Sequence, residues 1–145
     1  SHGYSGSADW TIIKSIKEIL EIPVFGNGDV SSAEIFQQRI NESNVDAVMI
    51  GRGAMVNPHI FTEINEYVKK GTYNSLPKKK QFFEYLKFAK KYEIPFERVK
   101  FHAMNISRSV KNSTRLRNSI TFCKSIDELI SLLEKIEDNT FITKL

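Results

Sequence analysis

The spacing of apolar residues changes along the chain, and each change marks an element. Trp10, Ile13, Ile16 or Lys17, and Leu20 recur every three or four positions, with Ile12 and Ile19 widening the stripe, so a helix capped by Asp9 is predicted. Two short runs rich in Val and Ile follow, Ile22-Pro23-Val24-Phe25-Gly26-Asn27-Gly28-Asp29-Val30 and Asp46-Ala47-Val48-Met49-Ile50-Gly51-Arg52-Gly53-Ala54. Each ends abruptly in glycines, the pattern of a buried parallel strand that empties into a loop. Between them Ser31-Ser32-Ala33-Glu34 has the spacing of a capping box, and Ile35, Phe36 and Ile40 supply a helical stripe. Strand, glycine turn, helix, strand, glycine turn is a βαβ unit.

Asn57-Pro58 predicts a further helix start, Asn as cap and Pro at the first helical position, with the helix running through Ile60, Phe61, Ile64 and Tyr67 or Val68 to a stop at Gly71. Residues 72–76 are polar and turn-like, which sets the expected division into domains 1–72 and 73–145. Beyond it no strand pattern occurs. Pro77 opens a helix with Phe82, Phe83, Leu86 and Ala89 inward and Lys79, Lys80, Lys87 and Lys90 largely outward; Pro95 opens another carrying Phe96, Val99, Ala103, Ile106 and Val110. Asn112-Ser113 permits a break before a short segment around Leu116 and Ile120. Ser125-Ile126-Asp127-Glu128 is a second capping box, ahead of Leu129, Leu132, Leu133 and Ile136. Four helices with short connections make a small bundle.

Composition narrows the class. An apolar share of 41% and a charged share of 26% are those of a soluble globular protein. No apolar run approaches the ~18 residues of a membrane span, and no signal peptide is visible. The single cysteine, Cys123, excludes an intrachain disulfide framework and fits a reducing compartment, most simply the cytoplasm. Beside Phe122 at a helix start, it reads as a buried structural thiol. Trp10 lies within its stripe and reads as packing; His59 caps or stays solvated; His2 beside Ser1 reads as a tag remnant without a role.

The net charge of +4 conceals an asymmetry: residues 1–72 carry six Lys/Arg against nine Asp/Glu, whereas residues 73–145 carry fifteen against eight. Between Lys78 and Arg117 stand twelve basic residues opposed only by Glu84, Glu93 and Glu97. Such a field suits a polyanionic partner, and equally a solvated helix surface. Paired glycine turns at the ends of neighbouring parallel strands are what the last two strands of a (β/α)8 barrel use to hold a phosphate, although Gly26, Gly28, Gly51 and Gly53 also suit simple tight turns.

The wording of IPVFGNGDV, DAVMIGRGAMVNPHIF and YSGSADW resembles the tRNA-dihydrouridine synthases. In the bundle, Val99-Lys100-Phe101-His102 and the segment from Asn112 to Ile120 resemble that family's helical domain more loosely, and KFHAMNISR is similar to its eukaryotic type. The resemblance implies the C-terminal fragment of an FMN-binding TIM barrel, its last two strands and their helices, followed by a helical tRNA-binding domain. It implies reduction of the C5–C6 double bond of a uridine in tRNA, with FMN reduced by NADPH, hydride delivered to C6 and a cysteine acid protonating C5 of an extruded base. Carried over by position, Asn27, Gly28, Gly51 and Arg52 bind the FMN phosphate, with Asp29 a candidate for holding the loop. Arg98, Lys100, Arg108, Arg115 and Arg117 face RNA, and His102 is either an RNA contact or structural.

The family's catalytic cysteine, strand lysine and upstream histidine have no counterpart in this chain, so no catalytic residue and no metal ligand is assigned. A complete barrel takes roughly 250 residues, so the expectation is the back part of a larger enzyme, inactive by itself and prone to self-association through open barrel edges. Two other readings remain: a flavin-dependent barrel oxidoreductase of small molecules, similar to dihydroorotate dehydrogenase, and a non-catalytic RNA-binding module.

Overall fold

The computed structural model describes residues 6–136, and these divide into two compact units, Ser1–Asn74 and Ser75–Leu145. His2, Tyr4 and Ser5 lie outside the described residues.

In the first unit α1 spans Trp10–Ile19, opened by Asp9, whose Oδ1 accepts from the Thr11 and Ile12 N–H groups. Strand β1, Phe25–Asn27, and strand β2, Ala47–Met49, pair in parallel with Phe25 opposite Ala47, Gly26 opposite Val48 and Asn27 opposite Met49. Helix α2, Ala33–Ser43, connects them and packs on α1, completing the βαβ unit. Its cap is Ser32 rather than Ser31: the Ser32 hydroxyl accepts from the Ile35 N–H at 3.3 Å. The capping-box spacing is therefore one residue out. Glu34 instead accepts from the Tyr73 hydroxyl at 3.2 Å. Burial works against ionisation of that carboxyl, but hydrogen bonds from Ser32, its own N–H and Tyr73 hold it below the ordinary range. Tyr73 is pushed up to about 12 by burial and by Glu34.

Beyond β2, a short helix α3, Arg52–Val56, precedes α4, Ile60–Lys70. Asn57 does not cap α4 as expected; His59 stands at that position without a side-chain cap bond, and the Asn57 amide donates to Glu63 at 2.7 Å. Pro58 and His59 form a turn after α3, so α4 begins two residues late. Gly71 ends α4 in the left-handed region, φ 72°, as its position predicts.

The strands are shorter and less buried than their sequence suggested. Gly26 is buried, but Phe25 and Met49 are 67% and 59% exposed, and Ile12, Ile16, Ile19 and Ile22 are exposed as well. Two strands are the whole sheet among the described residues, so each has one edge unpaired. Trp10, Val30 and Val45 form one buried cluster with Val48 and Phe36 against it, and Ala33, Ile60 and Ile64 form the other.

Asp46 fixes the strand pair at its entry. Its N–H donates to the Val24 carbonyl at 3.0 Å, while its Oδ2 accepts from the Val24 N–H at 2.7 Å and from Lys17 Nζ at 2.8 Å. The Lys17 hydrogen bond, and after it the Val24 N–H, holds the carboxyl below its ordinary value of 3.8.

The second unit is helical: α5 Lys78–Lys91, α6 Phe96–Ile106, a 3-10 turn Ser107–Ser109, α7 Ser113–Phe122 and α8 Ile126–Glu134. Pro77 and Pro95 stand immediately before α5 and α6, where their missing N–H is no loss. Phe82, Leu86, Val99, Ile106, Ile120 and Leu133 are each at most 1% exposed in a single core. Ser125 accepts from the Glu128 N–H at 3.1 Å, while Glu128 reaches back one residue farther than a capping box requires, to the Lys124 N–H at 2.8 Å.

Helix α5 stops at a left-handed residue that is not glycine. Ile94 N–H donates to the Ala89 carbonyl at 2.9 Å and Glu93 N–H to the Lys90 carbonyl at 3.3 Å, with Glu93 at φ 49°. This pairing of six-to-one and five-to-two bonds is a Schellman motif, and Ile94 folds onto the core beside Ala89.

Two outcomes follow. Asp46 contributes stability that is complete above its unfolded value of 3.8 and lost as pH falls through the lower folded value. Urea midpoints should therefore show Asp46→Asn weaker than wild type at pH 7, with the difference shrinking below pH 3.8; a gap that stays constant would show the carboxylate to be idle. Glu93→Gly removes the Cβ penalty at a left-handed position and should stabilise the helical unit by about 1 kcal/mol in the same assay.

Candidate functional site

Asn27, Gly28 and Asp29 turn the chain at the end of β1, and Gly51 and Arg52 turn it at the end of β2. The parallel register that sets Asn27 opposite Met49 brings these turns together. Arg52 Nη2 donates to Asp29 Oδ1 at 2.6 Å, and the Ala8 N–H donates to Asp29 Oδ2 at 2.7 Å. Each carboxylate oxygen thus has a partner, from segments far apart in sequence. Asp29 itself sits at φ 53°, a conformation Asp tolerates better than most residues. Asn27 Nδ2 makes a long contact, 3.6 Å, to Met49 Sδ and stays exposed.

Behind the first turn stands Trp10, 5% exposed, whose Nε1 donates to the Gly28 carbonyl at 3.2 Å while the Arg39 guanidinium lies 5.5 Å from its ring centroid. This explains two glycines. A Cβ on Gly26 would fall 2.6 Å from the Trp10 ring, and one on Gly28 would fall 2.1 Å from the Ala8 Cβ, at a φ of 142° that side chains avoid. Gly53 is likewise explained from inside, because its Cβ would meet the Val30 carbonyl oxygen at 2.2 Å. Gly51 differs. A Cβ there meets nothing within 4 Å, at a negative φ of −97°, so no packing neighbour within the chain excludes a side chain at this position. Arg52 beside it keeps 61% of its side chain exposed.

Periodicity does not single out Ala8, Trp10 and Val30 as parts of the turns. Their contacts span about twenty residues of sequence, and only the strand pairing brings them into place. The stripe that contains Trp10 cannot say that its indole faces a glycine turn.

In the helical unit the basic residues divide by use. Lys78 is buried, with Nζ donating to Gln81 Oε1 at 3.2 Å; Lys79, expected outward, is half-buried and donates to the Ile136 carbonyl at 2.9 Å; Lys90 pairs with Asp127 at 2.6 Å. Arg98, Arg108 and Arg115 are exposed. Lys100 is half-buried, its ammonium 5.6 Å from the Phe96 ring, and Arg117 is half-buried with a long contact to Thr114. His102 lies with its ring 5.5 Å from Tyr85 and 5.6 Å from Phe101, half-buried against the core. An open depression of about 770 Å³ is lined by Lys111, Asn112, Ser113, Thr114, Arg115 and Asn118. Cys123 is in the core, its Sγ 3.6 Å from the Ser119 carbonyl, and burial pushes the thiol up, away from the thiolate form that reactive cysteines need. Among the described residues no group of His, Cys, Asp and Glu could hold a metal ion, and no helix is long and apolar enough to cross a membrane.

A parallel βαβ unit with glycine turns, carried on one chain with a basic all-helical unit, defines a two-part α/β plus all-α protein. The chain belongs to the dihydrouridine synthase family: the model for "Dihydrouridine synthase (Dus)", a family of TIM-barrel enzymes, matches residues 1–141. A probable tRNA-dihydrouridine synthase of Aquifex aeolicus is 31% identical over 144 residues, covering 97% of this chain and 45% of that protein. One from Rickettsia conorii is 40% identical over 74 residues, 51% of this chain and 22% of that protein. The tRNA-dihydrouridine synthase B of Pseudomonas aeruginosa is 44% identical over 68 residues, 47% of this chain and 20% of that protein. The chain thus spans less than half the length of these relatives.

Proposed function

We propose that the protein reduces the C5–C6 double bond of a uridine in tRNA to dihydrouridine, with residues 1–72 forming the end of its FMN-binding barrel and residues 73–145 its tRNA-binding domain. Bound there, FMN supplies the two-electron reduction, with NADPH as its reductant. The observation that carries the cofactor reading is Gly51: with Gly26, Gly28 and Gly53 accounted for by packing, it is the turn glycine whose missing side chain leaves backbone open to an incoming group.

The residues around it suit a phosphate. Gly51 and Arg52 present backbone N–H groups at the β2 turn, and the exposed Arg52 guanidinium adds a charge-assisted donor. Asp29 would repel an anion if it stood alone, but Arg52 and the Ala8 N–H occupy its oxygens, so it holds the turn in shape. Asn27, exposed one residue before Gly28, orients the ligand from the neighbouring strand. This chain supplies no acid for the reaction, since its one cysteine is buried in the helical core. Taken alone it is inactive, and the exposed Phe25, Met49 and α1 isoleucines make it self-associate.

In the helical unit Arg98, Lys100, Arg108, Arg115 and Arg117 meet the sugar-phosphate backbone, positioning the RNA rather than reading its sequence. His102 contributes packing against Tyr85 and Phe101 beneath them.

Three variants of the intact protein test this reading. Gly51→Ala should weaken FMN binding about ten- to a hundredfold, followed by flavin fluorescence, with little change in melting temperature. Gly28→Ala should lower the melting temperature itself, because the new Cβ collides with Ala8. A Gly51→Ala protein with wild-type FMN affinity would remove this turn from the cofactor site. The double variant Arg115→Glu, Arg117→Glu should weaken tRNA binding and reduce the slope of log affinity against log salt by about one for each phosphate no longer neutralised. Unchanged affinity and slope would rule out this face.

A further inference from the structure

The end of α5 and its cap residue carry an aromatic pair that neither the core nor the arginines account for. Phe88 and Tyr92, one helical turn apart, are 57% and 63% exposed, while Leu86 and Ala89 between and beside them are buried. Their rings are nearly parallel, 7° between planes with centroids 6.4 Å apart. Lys87, Lys90 and Lys91 are interleaved with them, and no acidic residue stands between Tyr85 and Tyr92. Lys91 Nζ lies 5.3 Å from the Tyr92 ring centroid, an ammonium resting on a π face.

This end of α5 is held in place. The Schellman bonds from Glu93 and Ile94 fix the last turn, and the Lys90–Asp127 pair ties it to the start of α8. The rings are therefore presented from a firm support, so little ordering is needed when they are covered.

We infer that Phe88 and Tyr92 form a stacking platform for an unpaired nucleobase of the bound RNA, with Lys87 and Lys91 taking the phosphates on either side. The inference rests on the RNA-binding reading above and adds to it a contact with bases, distinct from the phosphate contacts of Arg115 and Arg117. Charge chooses the partner: a π face among lysines fits a ligand in which flat apolar rings alternate with anionic groups, as in single-stranded RNA. On binding, Lys91 leaves the Tyr92 ring for a phosphate and a base takes the exposed face. Every base has a π face, so the platform grips an unstacked nucleotide without reading its identity.

The test uses the intact protein, fluorescently labelled oligouridylate, an abasic oligomer of equal length and unmodified tRNA, with binding followed by anisotropy across a salt series. Wild type should bind oligouridylate roughly ten- to a hundredfold more tightly than the abasic oligomer. The variant Phe88→Ala, Tyr92→Ala should lose that preference while keeping its salt slope, and Phe88→Tyr, Tyr92→Phe should retain it. Equal binding of the two oligomers by wild type, or an alanine variant that keeps the preference, overturns the platform while tRNA binding and its arginine dependence still stand. Failure of wild type to bind any RNA, tRNA included, removes the RNA reading itself and the platform with it. Loss of a wild-type dimer, or of binding to phosphatidylserine vesicles, in the alanine variant without an effect on RNA would give the surface to a second copy or a lipid and overturn the inference.

Discussion

One carboxylate, that of Asp29, joins parts of the first unit that the backbone leaves separate. The Ala8 N–H reaches it from before α1, Arg52 reaches it from after β2, and Asp29 itself follows β1. As an exposed ion pair the Arg52 contact contributes at most about 1 kcal/mol to stability. Its importance is geometric. It joins the two turns beyond the three-residue strands, alongside the close packing of Gly53 on the Val30 carbonyl. Trp10 works from the opposite side, filling the space that a side chain at Gly26 would need. The turn is thus held by charge on its outer side and by packing on its inner side.

The helical unit distributes its charge differently. Its basic composition suggested one continuous field, yet Lys79 and Lys90 reach across to Ile136 and Asp127, and Lys78 donates to Gln81 within its own helix. Exposed among the rest are Arg98, Arg108 and Arg115 on α6, the 3-10 turn and α7, lysines interleaved with aromatic rings on α5, and Lys80, Lys111, Lys124 and Lys135. Arginine, with its planar array of donors, and lysine, with its compact mobile charge, suit different contacts with one polyanion.

Much of this was legible in the sequence because it rests on local rules. The Asp9 cap, the βαβ order, the Gly71 stop, the prolines before α5 and α6 and the inward residues of the bundle all follow from spacing within a few residues. Errors arose where long-range partners decide. Ser32 rather than Ser31 caps α2, and Asn57 turns to Glu63 instead of capping α4. The strands are less buried than their composition implies, since a Val- and Ile-rich run looks the same whether or not neighbouring strands cover it. Asp29 was recognisable as a candidate for holding its loop, but its partners at Ala8 and Arg52 lie more than twenty residues away. The glycines were the hardest case: all four look alike as letters, and only the neighbours of each absent Cβ separate Gly51 from the others.

Trp10 is the chain's only tryptophan, and it is buried in the first unit with its indole N–H on the Gly28 carbonyl. The indole emission of this chain is therefore a local reporter, because the helical unit contributes no tryptophan. Excited selectively, the indole registers loosening of the β1 turn, whereas far-ultraviolet dichroism sums the helices of both units. A single sample thus carries two optical channels, one local to the β1 turn and one summed over the helices, without an added label.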